Sequence, residues 1–141
     1  MATLPADVAD RIVVLPYAAA AQFGTATFDA MGTVSSALGA GGAGVRVACN
    51  RIDDIVADLG GSAPTFVKMD VEGAELGALA GAAGLIEAHA PMLALSAYHR
   101  QDHLWRVLLT VAAIQPAYRF FLRPHNEEGW DLVLYAVPPG R

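Results

Sequence analysis

Cysteine occurs once in this chain, at Cys49, so no internal disulfide can form and nothing calls for an oxidising compartment. Charge is scarce as well. Only 16% of residues are Asp, Glu, Lys or Arg, and the balance is -5. Lys and Arg number 9 and form no basic cluster, which argues against a nucleic-acid partner. Long hydrophobic runs are missing too: the most apolar stretch, Val107 to Ile114, is far too short to span a bilayer. No basic segment followed by an apolar one opens the sequence, so no secretory signal is expected. These absences point to a soluble, cytoplasmic domain with neither membrane nor nucleic-acid partners.

What the sequence does hold is apolar material, 55% of its 141 residues, together with 14 glycines. That is one domain's worth of chain with ample core, and neither an internal repeat nor a linker divides it. Arg11 to Leu15 is a β-branched run bounded by Asp10 and Pro16 and reads as a buried strand. Thr25 to Phe28 reads as a second, exposed strand, Met31 to Gly44 as a loop, and Val45 to Cys49 as a third strand. Asn50 is the expected N-cap of a helix from Arg51 to Leu59, which Gly60 and Gly61 stop.

Thr65 to Asp70 is the expected central strand, followed by one helix from Gly73 to His89 that Pro91 closes. Met92 to Tyr98 is a continuous apolar run, as in a strand covered on both faces. Gln101 to Ile114 reads as a helix with Leu104, Val107, Leu108 and Val111 inward, and Tyr118 to Leu122 and Asp131 to Val137 as the last strands. Alternating strands and helices predict an α/β fold with a mostly parallel sheet and right-handed crossovers. The short final connection, His125 to Gly129, suits a terminal hairpin.

Gly39, Gly41 and Gly44 satisfy G-x-G-x-x-G, but a strand and not a helix follows, so the match is read as chance. Asp70, Glu72 and Glu75 carry more weight, because a strand end opening into a helix is where open α/β sheets place ligands. Glu72 and Glu75 are explained well enough by the helix dipole, which favours first-turn carboxylates by a few tenths of a kcal/mol each. Asp70 is not, since an uncompensated charge capping a buried strand is expensive. Lys68, on the face opposite Met69, is a candidate partner for a neighbouring carboxylate.

Gly73, Gly77 and Gly81 recur every four residues and read as a packing stripe. His99 ends the next strand, and adjacent strands about 4.8 Å apart would let it share a ligand with Asp70. Arg123, His125 and Asn126 follow a later strand toward the same rim. Asp70, His99, Asp102 and His125 also read as a mixed N and O metal set, though without a recognised ligand rhythm. No serine sits in a nucleophile elbow.

The run Phe66 to Glu75 resembles the K-x-D-V-E-G-A-E signature of the FkbM-type S-adenosylmethionine-dependent methyltransferases. Arg51 to Ile55 is similar to that family's T-L-D-D-L segment, and Ala74 through Ala82 to its E-x-x-x-L-x-G-A continuation. Tyr98, His99, Asp102 and Trp105, then Tyr118, Arg123, His125 and Leu134 to Ala136, resemble the later motifs of a subgroup. The resemblance implies a Rossmann-like class I methyltransferase sheet with a C-terminal antiparallel hairpin. Asp131 to Val137 would lie between Met92 to Tyr98 and Tyr118 to Leu122. Arg11 to Leu15 would be the family's third strand, leaving the chain without the first two and without the glycine-rich cofactor turn.

The resemblance further implies S-adenosylmethionine as cofactor, with Tyr17, Ala18 and Asp70 toward it, and methyl transfer to a hydroxyl of a sugar or secondary metabolite. His99 would be the base, Asp70 would hold cofactor or acceptor, and Glu72, Asp102, Arg123 and His125 would contact a small-molecule acceptor. The rival reading is an inactive remnant or interaction module that needs another chain for the missing half. Without the two strands, the edge of Thr65 to Asp70 would stand bare and invite self-association.

Overall fold

The computed structural model describes residues 5–28, 38–39, 44–127 and 131–140. Their strands form two four-stranded sheets. The first holds β1 (Ala18–Ala19), β2 (Gly24–Phe28), β3 (Leu38–Gly39) and β4 (Val45–Asn50) in the order β1-β4-β2-β3. The second holds β5 (Phe66–Met69), β6 (Met92–Ser96), β7 (Arg119–Pro124) and β8 (Leu132–Val137) in the order β5-β6-β8-β7. A short helix, α1 (Ala6–Ala9), precedes β1, and α2 (Ile52–Leu59) joins β4 to β5. The second sheet is served by α3 (Glu75–Ala80), α4 (Ala83–His89) and α5 (His103–Ile114).

The second sheet matches the sequence reading closely. β5 and β6 pair in parallel, Phe66 opposite Met92 through Met69 opposite Leu95. β8 is antiparallel to both β6 and β7 and lies between them, so β5, β6 and β7 run the same way and end at one rim. Every residue from Leu93 to Ser96 is buried, as the unbroken apolar run required. Met69, Leu79, Ile86, Leu93, Leu95, Val107, Val111 and Leu134 form the core between this sheet and its helices.

Several expectations are corrected. Arg11 to Leu15 is not a strand; Ile12, Val13 and Val14 are 50%, 69% and 86% exposed, and no described strand pairs with them. A β-branched run needs a neighbour to become a strand, and among the described residues none pairs with it. Asn50 belongs to β4 and its Oδ1 accepts from the Arg51 N–H, so Arg51 holds the N-cap position of α2. Gly60 does stop α2, in the left-handed conformation. Leu38–Gly39, expected as loop, pairs with Thr27 and Phe28, while most of Met31 to Gly44, including Gly41, lies outside the described residues.

The helix expected from Gly73 to His89 is two helices. The break has a cause in Asp53. Its backbone N–H donates to the Gly81 carbonyl at 2.8 Å, and its carboxylate accepts the N–H groups of Gly84 and Leu85 at 3.1 and 2.8 Å. Asp53 thus caps α4 from across the chain, and Arg51 holds that carboxylate at 2.8 Å. Removing such a cap costs about 1–2 kcal/mol, so Asp53→Ala is expected to lower the unfolding free energy by that amount, seen as a lower urea midpoint at unchanged slope. Of the three stripe glycines only Gly81 is packed tightly: a Cβ there would collide with the Ala20 carbonyl oxygen, whereas Gly77 faces open space.

Candidate active site

The rim at the end of β5 is built by a tight turn. Glu72 and Gly73 adopt left-handed backbone conformations, φ 51° and 95°. For a glutamate this costs about 1–2 kcal/mol. The turn is held from within. Glu75 Oε1 accepts the N–H groups of Val71 at 3.1 Å and Gly73 at 3.4 Å, which draws the Glu75 side chain under the turn, where it is fully buried.

His99, just past β6, meets this carboxylate. Its Nδ1 lies 2.7 Å from Glu75 Oε1, and its Nε2 lies 3.5 Å from both Asp70 Oδ1 and Glu72 Oε2. The His99 side chain is 6% exposed, and Nε2 has no hydrogen-bond partner. Tyr98 packs against its ring at 4.2 Å. His103, on the first turn of α5, brings Nδ1 to 3.0 Å from Glu75 Oε2, an ion-pair distance without good hydrogen-bond alignment.

Asp70 sits above. Its Oδ2 takes Lys68 Nζ at 2.7 Å and its Oδ1 takes Ser96 Oγ at 2.7 Å. The Lys68 hydrogen bond holds the Asp70 carboxyl below its ordinary range, against the opposing pull of partial burial. The Tyr98 phenol is pushed up to about 12, first by burial and then by the charges of Asp70, Asp131 and Glu72. At neutral pH it is a hydrogen-bond donor and not a base.

A cavity of about 340 Å³ opens beside Asp70, with Phe66, Lys68, Tyr98, His125 and Tyr135 among its walls. Among the sequence candidates, Asp70, Glu72 and His99 converge, and His125 lines this cavity with Asp70, its Nε2 2.9 Å from the Tyr135 hydroxyl. Arg123 borders an adjoining cleft with His125. Asp102 turns away, to Arg106 at 2.7 Å and Arg100 at 3.7 Å. The four-residue metal reading fails with it: among the described residues no three His, Cys, Asp or Glu groups are placed to hold an ion. Tyr17 and Ala18 border a separate cleft in the first sheet, with Arg46 and Val47. A larger groove, about 510 Å³, lies between α2 and α4, but its one carboxylate is the capping Asp53.

The sequence reading placed Glu75 beside Asp70 but assigned it to the helix dipole, and it missed His103. The signal was present in the helical spacing. Glu75, Ala78, Leu79 and Ala82 lie at i, i+3, i+4 and i+7 and are all buried, and His103, Val107 and Val111 form a second buried stripe. Two titratable residues on apolar stripes are the anomaly.

The fold is mixed α/β, and the end of its parallel strand pair brings the Asp70 carboxylate to the buried His99. The methyltransferase FkbM domain family matches residues 6–123, and the chain belongs to that family. Among solved structures, it is similar to the crystal structure of methyltransferase FkbM from Methylobacillus flagellatus KT, at 34% identity and a TM-score of 0.72. The match covers 94% of this chain and 30% of that one. Comparison with curated proteins gives no match.

Proposed function

We propose that this chain is the acceptor side of an S-adenosylmethionine-dependent O-methyltransferase with a Rossmann-like class I sheet. The substrate is a hydroxyl of a sugar or secondary metabolite. Membership of the FkbM family supports methyl transfer as the reaction. The observation that carries the site is His99 Nε2, buried and unpartnered beneath Asp70 and Glu72. When its oxygen takes a methyl group, the acceptor must shed a proton, and Nε2 is the base within reach once the hydroxyl replaces the loose Glu72 contact. Asp70, ionised and braced by Lys68 and Ser96, orients the acceptor, with His125 lining the same cavity.

S-adenosylmethionine supplies the methyl group from its sulfonium when bound. The described residues do not by themselves fit it: the cleft at Tyr17 and Ala18 carries no carboxylate to take the ribose hydroxyls. The chain alone is therefore expected to bind the cofactor weakly or not at all, and calorimetric titration giving a micromolar Kd would overturn this. Within a complete, active enzyme, His99→Ala should lower kcat about 10²–10⁴-fold. An unchanged kcat would remove His99 from the chemistry. A second reading, that another chain must complete this one, is favoured by β5, which ends its sheet with no described strand on its outer side.

A further inference from the structure

The geometry points to Glu75 as a positioning residue that fixes the His99 proton on Nδ1 and so leaves Nε2 bare to accept the proton of a substrate hydroxyl. The role in catalysis rests on the methyl-transfer reading; the tautomer does not. Glu75 Oε1 already accepts the N–H groups of Val71 and Gly73, so it is an acceptor, and its 2.7 Å contact requires Nδ1–H on His99. The competing tautomer would turn Nε2–H toward Asp70 and Glu72. Those carboxylates are 3.5 Å away and 40% and 36% exposed, whereas Glu75 is fully buried. The shorter, drier interaction is the stronger.

Glu75 is itself held rigidly. The Val71 and Gly73 N–H groups fix Oε1, and His103 Nδ1 stands 3.0 Å from Oε2. His103 Nδ1 and Oε2 make no hydrogen bond, so the tautomer that Glu75 fixes is that of His99. An apolar side chain would suit the Ala78 and Leu79 stripe but would leave the Val71 and Gly73 N–H groups without an acceptor, a service that an amide oxygen could supply equally well. What an apolar residue could not do is orient an imidazole, the service a carboxylate renders to a catalytic histidine.

Long-range ¹H–¹⁵N spectra of the chain labelled at histidine, recorded with the rings neutral, read the tautomer directly. The expected pattern is a protonated Nδ1 and a bare Nε2. Glu75→Gln, which keeps an acceptor oxygen, should preserve it, and Glu75→Met should reverse it. An Nε2–H tautomer in the parent chain, or a folded Glu75→Met that keeps Nδ1–H, would overturn the assignment. If Glu75→Met does not fold, the parent spectrum alone decides. In an active enzyme Glu75→Met should lower kcat about 10²-fold with the acceptor KM unchanged. The expected tautomer without methyl transfer to any hydroxyl would sink the reaction and leave the tautomer standing.

Discussion

Replacing Glu75 with alanine is expected to cost about 3–5 kcal/mol of unfolding free energy, among the largest single losses available in this chain. The side chain is fully buried and accepts from three donors, the ring of His99 and the N–H groups of Val71 and Gly73, with His103 Nδ1 3.0 Å from its other oxygen. Its removal strands all three in the buried interior. Each orphaned donor loses roughly 1–3 kcal/mol, although partial relaxation keeps the sum below the simple total. The loss should also be coupled. Urea titrations of Glu75→Ala, His103→Ala and the double variant should give a coupling energy of about 0.5–3 kcal/mol, since the two residues share one contact. A Glu75→Ala variant within 1 kcal/mol of the parent would mean that the cluster relaxes freely and is not the rigid unit described above.

How far this was legible in the sequence follows from where the signals are local. The run Met92 to Tyr98 declares a doubly covered strand by composition alone, and Gly60 and Pro91 mark helix ends by backbone chemistry. The Asp70 and His99 meeting follows from two parallel strands ending together, so it too could be inferred. The break between α3 and α4 could not, because its cause is Asp53, some thirty residues away in sequence, donating to Gly81 and capping Gly84 and Leu85. Arg11 to Leu15 misled for the same kind of reason: strand propensity describes a residue's fit to a sheet and cannot supply the neighbouring strand. Glu75 was read as a dipole partner because its spacing was compared with the helix end and not with the buried stripe it occupies.

The outer side of β5 is expected to make this chain self-associate. β5 ends the sheet order, and among the described residues no strand pairs with its second edge. The Met92 N–H donates to the Thr65 carbonyl at 3.0 Å, so Thr65 turns its backbone toward β6. Backbone groups of successive strand residues alternate sides, which turns those of Phe66 and Lys68 outward. Phe66 is 51% exposed, and Ile12, Val13 and Val14 add further exposed apolar surface elsewhere on the chain. The opposite end of the sheet is better defended, because β7 carries Arg119, Arg123 and Pro124, the charges and proline that discourage edge pairing. β5 has one lysine, and Asp70 already engages it. Light scattering across a concentration series should therefore show mass rising above that of one chain. Phe66→Pro, which removes an outward N–H and an exposed ring while sparing the ladder to β6, should return it toward monomer. A parent chain that stays monomeric, with slow amide exchange at Phe66 and Lys68, would show that the edge is covered and that β5 needs no partner.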